Sequence, residues 1–236
     1  LVIIPTYNEE TTIKEVIKGV QNNVPFCDIV VVDCNSRDNT QRIVKEMGVK
    51  LIPHPFKLGY GESIYSGFKY AYDKNYKNAI TIDGDGQHNP VEIKELINHL
   101  KEKSLDVVIG SRYLKDNKHK INHLRYIGSK LFSYLTSILL RKKITDTTSG
   151  FRILNKKTIE FLLKQDYFIS DYYNADMIII LALNNFKIDE IPININKRNQ
   201  GESMFGPFQV FYYIYKIILS IFITIMHNFL FKRIKR

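Results

Sequence analysis

Short apolar runs alternate along this chain with segments whose apolar residues return every third or fourth position, a pattern that predicts strands and helices in turn. Residues 1–4 read as a buried strand broken at Pro5, and residues 28–33, 49–52, 78–83 and 106–109 repeat the apolar run. Between the first two, Ile13, Val16, Ile17 and Val20 mark one face of a helix that Glu9, Glu10 and Thr11 lead into. Residues 35–40 provide turn and cap chemistry before a second helix over 40–47. A glycine-rich loop at 57–61 opens a third, and Pro90 stands near the start of a fourth that runs to Lys103. Strands and helices in this order imply an α/β fold with a doubly wound, mostly parallel sheet and right-handed crossovers.

Beyond that region the pattern changes. Residues 121–140 form an amphipathic to strongly apolar helix, followed by a polar loop at 145–152, a helix around 173–183 and an edge strand at 189–196 that tolerates Pro192. Residues 210–226 carry Lys216 as their only charge and are followed by the basic cluster Lys232, Arg233, Lys235 and Arg236. A membrane span needs about twenty predominantly apolar residues, so a spanning helix, an interfacial helix rich in Tyr and Phe, and a core helix all remain open for this tail. The division that results is an α/β domain over 1–204 and an apolar helical tail over 205–236.

Composition sharpens this only in part. A chain of 236 residues, 44% hydrophobic and 25% charged, can bury a full α/β core, which excludes a disordered protein. The net charge of +10 favours anionic partners, whether nucleotide phosphates, lipid head groups or nucleic acid. Cys27 and Cys34 supply no disulfide framework, so they read as small buried hydrophobes in a reducing compartment.

The chemistry concentrates at Thr81-Ile82-Asp83-Gly84-Asp85-Gly86-Gln87-His88, where an apolar run stops and two carboxylates stand one residue apart. At the carboxyl end of a strand in an open α/β sheet, such residues face the ligand crevice. Two hard oxygen donors there suit Mg²⁺ or Mn²⁺ sharing the oxygens of a diphosphate, with Gly84 and Gly86 letting the backbone come close. A lone Asp-x-Asp is more often a surface turn, so the reading depends on its company. Asp33 ends a strand in the same way, as site residue or turn residue. Arg112 follows the strand at 106–109, as phosphate ligand or ion-pair member. Asp171 and Asp176 are bases or caps near the later helix. The glycines at 59 and 61 do not make a dinucleotide fingerprint, because Ile64 stands where a third glycine is required.

Taken together, Pro5-Thr6-Tyr7-Asn8-Glu9, Val31-Val32-Asp33, Asp83-Gly84-Asp85-Gly86-Gln87-His88, Gly110-Ser111-Arg112-Tyr113, Ser149-Gly150-Phe151-Arg152 and Arg198-Asn199-Gln200-Gly201-Glu202-Ser203 resemble the inverting glycosyltransferases of family 2. The branch they resemble contains the dolichol-phosphate mannose synthases and other polyprenyl-phosphate transferases. The resemblance implies that Pro5, Tyr7, Glu9, Val31 and Asp33 hold the base and ribose of a GDP- or UDP-sugar. It places Asp83, Gly84, Asp85 and Gln87 at the divalent metal and diphosphate, and Arg112, Arg198 and Ser203 at phosphate oxygens, with Asp85, Arg112 and Arg198 carrying the catalysis. A polyprenyl or dolichyl phosphate would be the acceptor, and nucleic acid is not among the implied partners. Membrane association with the catalytic domain facing the cytoplasm follows as an expectation, as does a membrane-protein partner through the tail. Two departures stand out: Cys34 replaces the second Asp usual in relatives, and Met204 replaces the Lys usual after Gly-x-Ser. The second weakens the lipid-phosphate assignment more than the transferase assignment. A non-lipid glycan acceptor, a nucleotidyltransferase and a non-catalytic membrane-surface module remain as alternatives.

Overall fold

The computed structural model describes residues 1–114, 142–164 and 175–196, together with 130, 133, 134 and 136–138, the side chains of 175 and 176 excepted. Seven strands form one sheet in the order β3-β2-β1-β4-β6-β5-β7. They are β1 (Val2–Thr6), β2 (Ile29–Asp33), β3 (Lys50–Pro53), β4 (Asn78–Thr81), β5 (Val107–Ser111), β6 (Arg152–Asn155) and β7 (Ile188–Pro192). All pairings are parallel except those of β6, which runs antiparallel to both β4 and β5.

The expected parallel core is present, with one addition. β6 and the helix after it follow the polar loop expected at 145–152, in a stretch for which the pattern predicts no element, and the sheet is mixed rather than uniformly parallel. Four residues suffice for β6 because its neighbours satisfy its backbone on both sides, and Ile153 and Leu154 are buried to opposite faces.

Strand alternation divides the core in two, which is why helices are needed on both faces. Ile3, Val30, Val32 and Val107 face α3 (Tyr60–Asp73), α5 (Lys156–Leu163) and α6 (Ala175–Leu183). Val2, Ile4, Val31 and Val108 face α1 (Ile13–Asn23), α2 (Thr40–Glu46) and α4 (Ile93–Glu102). The apolar face expected of α1 is fully used: Ile13, Ile17 and Val20 are 0% exposed.

Pro5 does not break β1. Residues 2 and 6 pair toward β2, as the bonds from Val2 N to Asp28 O and from Cys34 N to Thr6 O show, so Pro5 turns its missing N–H toward β4. Pairing with β4 has already ended at Ile3 opposite Thr81, and no ladder bond is lost. β4 is shorter than its apolar run suggests, because Ile82 still bonds to Ile3 O but the chain then turns away at Asp83. Pro90–Glu92 forms a 3-10 turn that leads into α4, with Asn89 capping Val91 N. β7 is an edge strand, and Pro192 ends it opposite Ser111.

The strand order reverses between β1 and β4, the point at which open α/β sheets hold their ligand crevice at the carboxyl ends. Among the described residues no helix is long and apolar enough to cross a membrane. The tail at 205–236 lies outside the described residues, as do Arg198, Ser203 and Asp171.

Candidate active site

Asp83 stands at this switch point, one residue past the last β1 contact of the strand segment. Its Oδ1 accepts from the Tyr60 hydroxyl at 2.9 Å, and its Oδ2 meets His88 Nε2 at 3.2 Å. Facing an ionised carboxylate, that nitrogen carries the hydrogen. Burial alone would raise the Asp83 pKa, but the hydrogen bond and charge of His88, the Tyr60 hydroxyl and the Arg112 charge hold it below the ordinary carboxylate value. His88 is itself buried and stacks on Phe151, with ring centroids 5.2 Å apart.

Two glycines make this arrangement possible by packing rather than by freedom of φ. A Cβ on Gly150 would lie 2.6 Å from Tyr60 Oη and 2.7 Å from Asp83 Oδ1. A Cβ on Gly84 would lie 2.8 Å from Thr6 Cγ2 and 3.3 Å from Pro5 O. The close approach expected of Gly84 is therefore made to β1.

The rest of the acidic loop is tied to two neighbours. Thr12, just before α1, donates to Gly84 O at 2.7 Å, and Gln87 N donates to Asp85 Oδ1 at 3.0 Å. On the other side, the segment after β7 is laid against the loop by a bridge between His88 and Ile195. Asn196 N donates to Gln87 O, and Asn196 Nδ2 to Gly86 O. Glu92 Oε1 then accepts both the backbone N–H and the side-chain amide of Asn194. Arg198 is two residues farther along the chain.

Asp83 and Asp85 bring two hard carboxylates to one loop, and among the described residues no cluster of three or more His, Cys, Asp or Glu side chains could hold a metal ion. The donor set thus fits a hard divalent cation that takes its remaining ligands from a diphosphate and water, and does not fit an all-protein cage. Gln87 belongs to the same loop, partly exposed.

Arg112 follows β5 and is held by Asp146: Nε to Oδ2 at 2.7 Å, Nη2 to Oδ1 at 2.8 Å, and its backbone N to Oδ2 at 3.0 Å. Nη2 also reaches Thr148 Oγ1 at 2.6 Å. Burial alone would lower the Arg112 pKa; the charge and hydrogen bonds of Asp146 override it and raise the value. The ion-pair reading of Arg112 is therefore what the geometry shows, in a buried setting and within the field of Asp83.

At the other end of the crevice, Asp33 is fully buried and accepts from Thr6 Oγ1, Ser36 N, Ser36 Oγ and Gln41 Nε2. Its visible work is to shape the loop that follows β2. Val31 and Pro5 are buried in the sheet, so neither side chain lines the crevice. Tyr7 is partly exposed beneath the Lys57 ammonium, 3.9 Å from its ring centroid, and Glu9 accepts from Thr12. Cys34 exchanges hydrogen bonds with Gly59 N and O, so the thiol holds the glycine loop.

Tyr60, His88, Asp146, Thr148 and Gly150 were not singled out by sequence pattern. His88 and Gly150 sit inside two of the family motifs, and Asp146 and Thr148 in the polar loop at 145–152, whereas Tyr60 is marked only by the glycines around it.

A mostly parallel mixed sheet with Asp83 and Asp85 following β4 is a GT-A-like fold. The whole-chain comparisons agree: the glucosyl-3-phosphoglycerate synthase of Mycobacterium tuberculosis, in complex with Mn²⁺, UDP-glucose and phosphoglyceric acid, superposes with a TM-score of 0.71 at 16% identity, over 94% of this chain and 78% of that one. The family model for Glycosyl transferase family 2 matches residues 1–180, and the chain belongs to that family. It is 31% identical over 232 residues to the UDP-N-acetylglucosamine–dolichyl-phosphate N-acetylglucosaminyltransferase of Methanococcus voltae, covering 89% of this chain and 92% of that protein. It is 28% identical over 211 residues to the polyprenol monophosphomannose synthase of Mycolicibacterium smegmatis, covering 86% and 79%. The protein is thus a glycosyltransferase, and the nucleotidyltransferase and the non-catalytic module are set aside.

Proposed function

We propose that the protein transfers a hexose, mannose-like, glucose-like or N-acetylated, from a GDP- or UDP-sugar to a polyprenyl or dolichyl phosphate with inversion at the sugar carbon. The observation that carries this reading is the pair Asp83 and Asp85 at the β1/β4 switch point, in a chain similar over most of its length to two lipid-phosphate sugar transferases. In the reaction an acceptor phosphate oxygen forms a bond to the anomeric carbon as the bond to the nucleoside diphosphate breaks. A phosphate acceptor is already ionised near neutral pH, so no strong general base is required. The protein's tasks reduce to positioning and charge compensation.

Asp85, with Asp83 and Gln87 beside it, would hold Mg²⁺ or Mn²⁺, which supplies positive charge against the departing diphosphate. Asp83 is kept ionised and oriented by His88 and Tyr60. Tyr7, Glu9 and the loop shaped by Asp33 border the nucleoside side of the crevice. Arg112 brings a fixed guanidinium beside the carboxylates, and the segment that docks Asn196 on Gly86 and Gln87 continues directly into Lys197 and Arg198. Arg198 and Ser203 are assigned to phosphate oxygens by family motif. A membrane-associated enzyme with this domain facing the cytoplasm fits a lipid-linked acceptor and the apolar, basic tail.

The test is incubation with a panel of GDP- and UDP-sugars, polyprenyl phosphate and Mn²⁺, followed by mass analysis of the lipid. A mass increase of one sugar, lost in Asp85→Ala together with Mn²⁺-assisted nucleotide binding, is the expected result. Transfer only to a soluble glycan would move the protein to another branch of the family. Full activity of Asp85→Ala in chelator would remove this mechanism.

A further inference from the structure

Glu190 lies in β7, on the opposite side of β5 from the acidic loop, and it belongs to none of the family motifs. Its carboxylate nevertheless faces inward. Oε2 accepts from Thr145 N at 2.7 Å and Thr145 Oγ1 at 2.9 Å, and Oε1 accepts from Asp146 N at 2.8 Å. Burial pushes the Glu190 carboxyl above its ordinary value in spite of these bonds.

The same turn is gripped from two further directions: Thr145 Oγ1 meets Ser111 Oγ at 2.7 Å, and Thr145 O accepts from Ser133 Oγ at 2.9 Å. With its backbone N held by Glu190, Asp146 meets Arg112 through both carboxylate oxygens. Every group that Glu190 meets in this cluster is a donor. A glutamine of the same shape would turn its amide N–H₂ against at least one of them, so the position requires a carboxylate.

We propose that Glu190 is a positioning residue for the transfer reaction: it fixes the turn at Thr145 and Asp146, and through Asp146 sets the direction of the Arg112 guanidinium beside Asp83. The kinetic part of this inference rests on the proposed function, in which Arg112 compensates phosphate charge. The geometric part stands without it.

The experiment compares Glu190→Gln, Arg112→Ala and the double variant in the full chain. The first readout is the ¹⁵Nε–Hε resonance of Arg112, identified by its loss in Arg112→Ala. Glu190→Gln should shift it and speed its exchange with water; an unchanged resonance overturns the proposal. The second readout is kinetic. Glu190→Gln should lower kcat about tenfold with donor KM within about twofold, and should add nothing in the Arg112→Ala background. Losses that multiply would make Glu190 a structural residue only and also overturn the proposal. Should Glu190→Gln not fold, Thr145→Val removes one of the three bonds, and the same resonance and kcat decide in the same direction. A wild type inactive with every donor would count against the proposed function, while the Arg112 resonance would still decide the relay.

Discussion

At the scale of single residues, the described part of the site is held by the ion pair of Arg112 with the buried Asp146. Asp146 is fully buried, and its carboxyl lies below the ordinary 3.8: burial would raise it, and the Arg112 charge and hydrogen bonds more than reverse that effect. A folded value below the unfolded one means that the unfolded chain takes up the proton first. The stability from the pair is therefore complete above 3.8 and is lost as pH falls through the lower folded value. Denaturant melts from about pH 6 to about pH 3 should show falling stability, and Asp146→Asn should flatten that slope. Equal slopes in the two proteins would place the acid sensitivity elsewhere. Arg112→Lys keeps the charge but not the fork that grips both oxygens of Asp146. Its expected cost is about 1 to 3 kcal/mol, or roughly 2 to 10 °C in Tm, with lower turnover as well.

At the scale of elements, β6 is the piece that makes the site. Because it runs antiparallel between β4 and β5, the chain enters it from the carboxyl edge of β4, bringing Gly150 directly against Asp83 and Tyr60. Thr81 Oγ1 donates to Gly150 O at 2.6 Å and secures that approach. Gly150→Ala should therefore displace the Tyr60 phenol and the Asp83 carboxylate together, costing about 1 to 3 kcal/mol of stability and a larger share of turnover. Tyr60→Phe, which removes the nearest atom, should recover part of the stability in the Gly150→Ala background. Thermal melts of the four proteins check this; additive losses would mean that the clash is relieved some other way.

At the scale of the whole molecule, the strands among the described residues lie between Val2 and Pro192, so the described walls of the crevice come from that span. Deleting 207–236 should leave nucleotide binding intact and slow transfer to long-chain polyprenyl phosphate far more than to short water-soluble acceptor phosphates. If the tail lies in the interface, vesicle binding of the full chain should fall with added salt, because about 1 kcal/mol per basic residue near an anionic surface is screened. Co-sedimentation against salt, beside transfer assays on both acceptors, measures this. Loss of donor binding on truncation would make the tail part of the core.

Local pattern determined the parallel half of the sheet, the helices with a single apolar face and the position of the acidic loop, since each of these follows from side-chain periodicity and turn chemistry within a short window. The motifs around Asp83, Arg112 and Ser149 likewise identified the family, because their residue types and order persist without reference to contacts. Tertiary structure alone decided the rest. The antiparallel β6 has too few residues to carry a period, and its strand state comes from the neighbours that pair with it. Arg112 could be a free phosphate ligand or half of an ion pair until Asp146, 34 positions away, was brought to its guanidinium. Tyr60, 23 positions from Asp83, acquired its role in the same way, as did Glu190 at 44 positions from Asp146. Hydrogen bonds of such sequence separation leave no local period, because the groups they join meet only when the sheet is assembled.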